Sequence, residues 1–502
     1  MPLSLPFPEL TADEAAALIH HGATIGFSGF TPAGAAKALP RALAKRAKAM
    51  HARGEEMRIR VLTGASTGTG LDDALAEAGA IAWRAPYQSS KILRKRINSQ
   101  ETAFLDLHLS HVPQMVEFGF LGKIDFAVVE AIDVTRDGRV YLSTSVGASP
   151  SYLRHAEKII IEINAHHSPR LWEMHDIAIL PKPPHRNPIP IPHPLAKMGT
   201  PFATVDPARI VGIIRTDEAD GVAPFDEPDH TSQRIADHVV RFLINELHAG
   251  RIPPDFLPLQ SGVGNVANAV MAGLGASDEI PPFTMYSEVF QDALVDLMMR
   301  GKLVGASTTS LTLSDPRMQQ IYADMDFFAP RIVLRPQELS NNPGVVRRLG
   351  VISINTVLEM DIYGHANSTH VCGTQLMNGV GGSGDFVRNG YLSILVAPSV
   401  AKAGKISAVV PMCTHVDHNE HSVQVLVTEQ GLADLRGLGP VERARVIIDT
   451  CAHPAYREYL HRYVDEAPMG HLRHDLSKCF DLHRNLMETG AMLPGVEAAA
   501  VA

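Results

Sequence analysis

The sequence predicts an α/β fold made of two similar open domains, and three observations carry that expectation. Apolar strand-like runs alternate with Gly/Ser loops and amphipathic helical stretches along most of the chain, the pattern of sheets that bind ligands at strand ends. At 502 residues the chain is too long for one core, and roughly two to four domains are expected. The string VVEAIDVTRDG around Glu130 is echoed by VLEMDIYGHANST around Glu359, each followed by a Gly/Ser-rich loop.

The elements follow in order. Thr11 and Glu14 form a capping box opening a helix, TADEAAALIHHG, that stops at Gly22. ATIGFSGF is a short buried strand, and TPAG leads into the helix AAKALPRALAKRAKAM. RIRVLTGAS, from Arg58 to Ser66, is a strand ending in a small-residue loop. Residues Ile124 to Pro150 read as β-structure folded around Asp137-Gly138. KIIIEIN and RIVGIIRT, beginning at Lys158 and Arg209, are two more strands. Between them, seven prolines in the fourteen residues from Pro181 to Pro194 exclude helix and interior strand. HTSQRIADHVVRFLINELHAG, from His230 to Gly250, is a helix, and the polar stretch before it sets the expected domains at 1–225 and 226–502. The second half restarts the alternation with LPLQSGVGNVANAVMAGLG, FTMYSEVF, GKLVGASTTSLT and RIVLRPQEL.

Bulk properties narrow the class of function. A formal charge of −9 argues against nucleic acid as a partner, so an anionic ligand must be held by local cations or backbone amides. The four cysteines, Cys372, Cys413, Cys451 and Cys479, show no CxxC spacing, which suits free thiols in a reducing compartment. No secretory signal is evident at the N-terminus, and no run approaches the ~20 apolar residues that span a bilayer. A cytoplasmic protein with no membrane partner is expected.

Several motifs carry chemistry. In YSEVFQD, Glu288 sits where a strand end (Thr284, Met285, Tyr286) meets the amphipathic stretch ALVDLMMRG. The positive end of a helix dipole there would favour an ionised, nucleophilic carboxylate. A Ser-Glu pair at a helix start more often reads as a cap and a first-turn acid than as a catalyst. Two loops match GxGxxG/A: Gly262, Gly264 and Ala267 after a short strand, and Gly379, Gly381 and Gly384 after a polar stretch. A dinucleotide fold wants an acid ~20 residues on, where the second loop has Lys402 and Lys405 instead. Phosphate cradling by loop amides, with Lys402 as countercharge, fits better. His415, His418 and His421 lack metal-binding spacing, so a polar network beside a strand is expected and no metal. Asn341 and Asn342 read as a turn and helix cap, and Glu429 ends the strand VQVLVTE. No GxSxG elbow supports a serine nucleophile.

Taken together, GFSGFTPAGAAKALP, WRAPYQSS, LPLQSGVGN, MYSEVFQ, LRPQELSNN, DIYGHANSTH, MNGVGGSGDF, VPMCTHVDHNEHS, VTEQGLADLRG and CAHPAYREYLHRY resemble the acetyl-CoA hydrolase/transferase family, a branch of the class I CoA-transferases. The resemblance runs from about residue 10 to about residue 493. It implies two CoA-transferase-type α/β domains with the active site at their interface. It implies that Glu288 is the nucleophile and becomes a glutamyl-CoA thioester, with Asn341 and the Gly382 amide as oxyanion hole. By the same likeness Val263, Gly264, Asn265, Val266, Ala267, Asn378, Gly382 and Lys402 hold CoA, and Glu429 lines the pocket near the acyl end. Acetate-using relatives carry an Arg at or near the position of Gly221, absent here. The implied activity is transfer of CoA between a short-chain acyl-CoA (propionyl, acetyl or succinyl) and a carboxylate such as succinate or acetate. Acyl-CoA hydrolysis is the alternative, and a non-catalytic CoA- or nucleotide-binding protein is the third reading. The implied partners are acyl-CoA and small carboxylates, the implied assembly is a homodimer, and no cofactor is bound permanently. Coenzyme A enters as substrate and covalent intermediate.

Overall fold

The computed structural model describes residues 6–223 and 228–494. The domain boundary expected at 225/226 lies outside the described residues. By contacts the chain divides into two compact units. The first gathers the described residues up to 223 with Thr284–Leu349 and Asn378–Asp385, and the second holds the remainder.

The first unit is organised by a nine-stranded sheet. Its parallel part runs Ala103–Phe104, Ile81–Ala85, Ile59–Leu62, Thr24–Phe27, Phe126–Val134, Lys158–Asn164, Ile210–Thr216. Thr24–Phe27 is buried at every position, and Lys158–Asn164 at all but its first. Such strands are covered on both faces, which is why they read as unbroken apolar runs and do not alternate. The Asp137-Gly138 turn joins Phe126–Val134 to the antiparallel strand Arg139–Leu142, with Gly138 at φ +81 supplying the left-handed step. The capping box forms as expected: Thr11 Oγ1 accepts from Glu14 N, and the Glu14 carboxylate accepts from Thr11 N. Its helix covers only Ala12–Ala17 and ends well short of Gly22. The proline-rich stretch from 181 to 194 forms no helix or strand.

The second unit has its own parallel strands in the order Leu259–Ser261, Ile352–Thr356, Leu392–Val396, Val425–Thr428, with Gly431–Asp434 antiparallel at the edge. The expected helix is present as His230–His248, capped by Asp229. It packs on the helix Asn265–Ala276 that follows the first glycine loop. A large apolar core lies under Pro440–Thr450 and Pro454–Glu466, built from residues such as Met360, Leu395, Leu426, Ile447 and Tyr456.

The sequence echo corresponds to a shared device. Glu130 is buried and accepts from Ser143 Oγ (2.6 Å), Asn164 Nδ2 (2.9 Å), the Lys37 ammonium and His167 Nε2 (3.1 Å). Glu359 is buried and accepts from Asn367 Nδ2, Thr414 Oγ1 and His483 Nε2, each at 2.8 Å. Burial alone would raise both carboxyls, but these partners outweigh it and hold Glu130 down at about 2 and Glu359 below its ordinary value.

Candidate active site

Glu288 is placed by backbone geometry. The strand Phe283–Tyr286 ends just before it, and its own carbonyl accepts from Thr309 N (2.9 Å), Ser310 N (3.1 Å) and Thr308 Oγ1 (2.6 Å). The chain then continues as a second short strand, Val289–Gln291, paired with Ser310–Thr312. The helix begins only at Asp292, with Gln291 as its cap. Glu288 is therefore neither a helix cap nor a first-turn acid, and the helix dipole expected to ionise it lies beyond the inserted strand. Its acidity corrects the sequence expectation outright. Burial pushes the carboxyl up to about 7, the Asn341 hydrogen bond opposes this, and the nearby Asp385 adds to the rise. Desolvation among packed protein atoms outweighs any distant dipole, although part of the side chain's surface stays accessible.

The adjacent asparagines divide their work. Asn342 Oδ1 accepts from Gly344 N (3.0 Å) and Val345 N (3.2 Å), so it caps the helix Pro343–Leu349 as a turn residue would. Asn341 is fully buried, and its Nδ2 donates to Glu288 Oε1 and, at 3.3 Å, to Asp385 Oδ2.

The second glycine loop closes over the same carboxylate. A Cβ on Gly382 would stand 1.4 Å from Glu288 Oε1, so a side chain there would push the Glu288 carboxylate from its place. Asn378 Nδ2 donates to Tyr87 Oη (3.0 Å), and Val380 N donates to the Asp106 carboxylate (2.8 Å). Gly384 lies against His108, where a Cβ would come within 2.2 Å of the ring. Asp385 accepts from Ser110 N (3.0 Å) and Ser110 Oγ (2.6 Å). Tyr87, Asp106, His108, Ser110 and Asp385 were not singled out from sequence. WRAPYQSS carries Tyr87 without any chemical pattern, and Asp385 reads as an ordinary acid at a helix start.

Glu288, Asn341 and Gly382 thus meet within the first unit, with Asn378 on the same loop. The other expected site residues belong to the second unit. Val263 is exposed, and Gly264, at φ +119, precedes the helix Asn265–Ala276, whose first turn holds the buried Val266 and Ala267. Gly264 brings no side chain to cap that helix, so its first amides are not covered by a cap. Lys402, at φ +48, is exposed in the turn between Val400–Ala401 and Ile406–Ser407. Glu429 is buried, and its carboxylate accepts from Ser399 N (2.7 Å), Ser399 Oγ and Gln430 Nε2 (3.0 Å). Gly221 lines a cavity of about 200 Å³ in the first unit with Lys37, Arg41, Thr67 and Glu218. Arg41 enters that cavity from the helix Ala38–His51 and is tied to Glu218.

The histidine-rich segment forms the polar network expected of it. His415 Nε2 lies 3.2 Å from Asp417 and its ring packs on His370, the His418 backbone pairs with Ala366, and His421 points to solvent. Among the described residues, one group has donor atoms close enough together to surround an ion: Glu130, His167 and Asp220. The Lys37 ammonium donates to both of those carboxylates and supplies the positive charge there.

The acetyl-CoA hydrolase/transferase N-terminal domain matches residues 5–215 and the C-terminal domain of the same family matches residues 318–464. The propanoyl-CoA:succinate CoA transferase of Escherichia coli (strain K12) is 58% identical, over 96% of this chain and 98% of its own. The succinyl-CoA:acetate CoA-transferase of Clostridium kluyveri is 44% identical, over 98% and 91%. The acetyl-CoA hydrolase of Schizosaccharomyces pombe is 43% identical, over 94% and 93%. Among solved structures, RipA from Yersinia pestis superposes with a TM-score of 0.69 at 24% identity, covering 91% of this chain and 96% of that one.

Proposed function

The chain belongs to the acetyl-CoA hydrolase/transferase family, and on that premise we propose that it is a CoA-transferase working through a glutamyl-CoA thioester on Glu288. It moves CoA between a short-chain acyl-CoA (propionyl-, acetyl- or succinyl-CoA) and a carboxylate acceptor such as succinate or acetate. The observation that carries this reading is one carboxylate, Glu288, held by the Asn341 amide and covered by the bare backbone of Gly382.

The chemistry follows from those groups. A Glu288 oxygen attacks the thioester carbonyl carbon, the C–S bond breaks, and CoA thiolate leaves an acyl-glutamyl anhydride. The thiolate then attacks the glutamyl carbonyl, releasing the first acid and leaving CoA on Glu288. An incoming carboxylate reverses both steps, giving ping-pong kinetics with no metal or redox group required. Each step passes through a tetrahedral oxyanion, for which the Asn341 amide and the Gly382 N–H are the proposed donors. A carboxyl held at about 7 is half ionised near neutrality and more basic than an ordinary glutamate, which suits a nucleophile.

Roles in CoA binding for Val263, Gly264, Asn265, Val266, Ala267, Asn378 and Lys402, and a place for Glu429 near the acyl end, are proposed on the family likeness. A homodimer is proposed on the same likeness, and a cytoplasmic location on the reading of the four cysteines as free thiols in a reducing compartment. No helix among the described residues is long and apolar enough to cross a membrane.

Incubation with propionyl-CoA without acceptor, followed by intact mass and peptide mapping, tests the proposal. A CoA adduct on Glu288 supports transfer. Free CoA accumulating without an adduct is the outcome for a hydrolase, the activity named for the fungal relative. Bound CoA with neither result marks a binding protein.

A further inference from the structure

We propose that Asp385 is a positioning residue that locks the Asn341 amide in the orientation presenting an N–H to Glu288, an inference that rests on the transferase reading above.

The hydrogen-bond pattern around Asn341 has one consistent solution. Its Oδ1 accepts from Ser340 Oγ at 2.8 Å, and its Nδ2 faces two carboxylates, Glu288 Oε1 and Asp385 Oδ2. An amide rotated by half a turn would set its carbonyl oxygen, an acceptor, against both carboxylates, and neither can donate to it without a proton. Two acids therefore define the orientation, but they differ in permanence. Glu288 loses its charge whenever it is an anhydride or a thioester, and only Asp385 stays a carboxylate acceptor through the whole cycle.

Asp385 is itself fixed for this task. It is 3% exposed, its Oδ1 accepts from Ser110 Oγ and its Oδ2 accepts from Ser110 N as well as from Asn341. Its place at the end of the loop carrying Gly382 ties both proposed oxyanion donors to one anchor, since Asp385 N also bonds back to Gly382 O at 3.0 Å. Asp385 has a second, electrostatic effect. Burial raises its carboxyl to about 6, and its charge contributes to the rise at Glu288. The other titratable groups around the pair are Tyr87, Asp106 on Val380 N, His108 against Gly384, and His111, which favours the Asp385 charge.

Two variants separate orientation from charge. In Asp385→Asn the new carbonyl can take the Oδ2 position, accepting from Ser110 N and Asn341, while the amide Nδ2 donates to a rotated Ser110 hydroxyl. All three bonds survive and the charge is gone. Asp385→Ala removes the acceptor. The expected result is a fall in kcat of about 10- to 100-fold for Asp385→Ala, below the ~100- to 1000-fold typical of losing an oxyanion donor altogether. KM for acyl-CoA should stay within about twofold, as for an interaction made in the transition state. Asp385→Asn should recover most of that loss and move the acid limb of the kcat/KM–pH profile to lower pH, because a like charge has left Glu288. Wild-type kcat in Asp385→Ala, or a fall in kcat in Asp385→Asn as large as in Asp385→Ala, overturns the proposal. If Asp385→Ala fails to fold, Asp385→Ser, which also withdraws the carboxylate acceptor from Asn341 Nδ2, takes its place under the same kcat criterion. A wild-type protein that forms no adduct on Glu288 would instead sink the transferase reading, so the two failures are distinguishable.

Discussion

Replacing Glu288 by Gln should stabilise the first unit, increasingly so as pH rises. A glutamate whose carboxyl stands at about 7 in the folded protein against an ordinary 4.5 holds its proton more tightly folded than unfolded. Its penalty is absent below about 4.5, grows as the pH climbs, and is complete above 7. At 1.36 kcal/mol per tenfold change in the proton equilibrium, the full penalty is about 3 kcal/mol, an upper figure because part of the side chain stays accessible. Glutamine never ionises, yet its carbonyl can still accept from Asn341 Nδ2. Both tryptophans, Trp83 and Trp172, lie in the first unit, so urea unfolding followed by tryptophan fluorescence reports on the relevant transition. The two proteins should unfold at closely similar urea concentrations at pH 4.5, and the variant should gain up to about 3 kcal/mol at pH 8. A difference between them that is the same at both pH values would refute the desolvation argument.

Other perturbations probe the same frame. Gly382→Ala places a methyl where Glu288 Oε1 now lies, and should abolish the CoA adduct in the mass assay while far-UV circular dichroism stays native. Asn341→Ala removes a donor from the carboxylate, and steady-state kinetics should show kcat reduced by about 100- to 1000-fold. Arg84 and Asp72 form a fully buried, two-bond pair at 2.9 and 3.1 Å. Arg84→Ala strands the Asp72 charge and should cost about 3–5 kcal/mol in urea unfolding, whereas an exposed pair such as Lys45–Asp13 should show little effect in the same assay.

Periodicity and turn chemistry were readable because they are local. The capping box at Thr11, the Asp137-Gly138 hairpin, the helix from His230 and the strands from Lys158 and Arg209 all depend on residues within a few positions of one another. The asparagine pair shows where local reading stops. Capping needs only the next three residues, and Asn342 does it. Facing Glu288 requires a partner 53 positions away, and nothing beside Asn341 announces it. The dipole argument at Glu288 failed for a related reason: it assumed the helix began at once, whereas pairing with Ser310–Thr312 drew Val289–Gln291 into a strand.

By itself the sequence determined the α/β class, the sign and sparsity of charge, the order of most elements, and, through its resemblance, the identity of Glu288 as the residue to test. Tertiary structure decided the state in which that residue sits. Whether a carboxyl is ionised depends on how much water it loses and which charges share its surroundings. Those surroundings are assembled from Asn341, Gly382 and Asp385, and, through Asp385, Ser110. The Ser110–Asp385 contact alone joins residues 275 positions apart, a separation over which no sequence pattern carries information about dielectric or hydrogen-bond geometry.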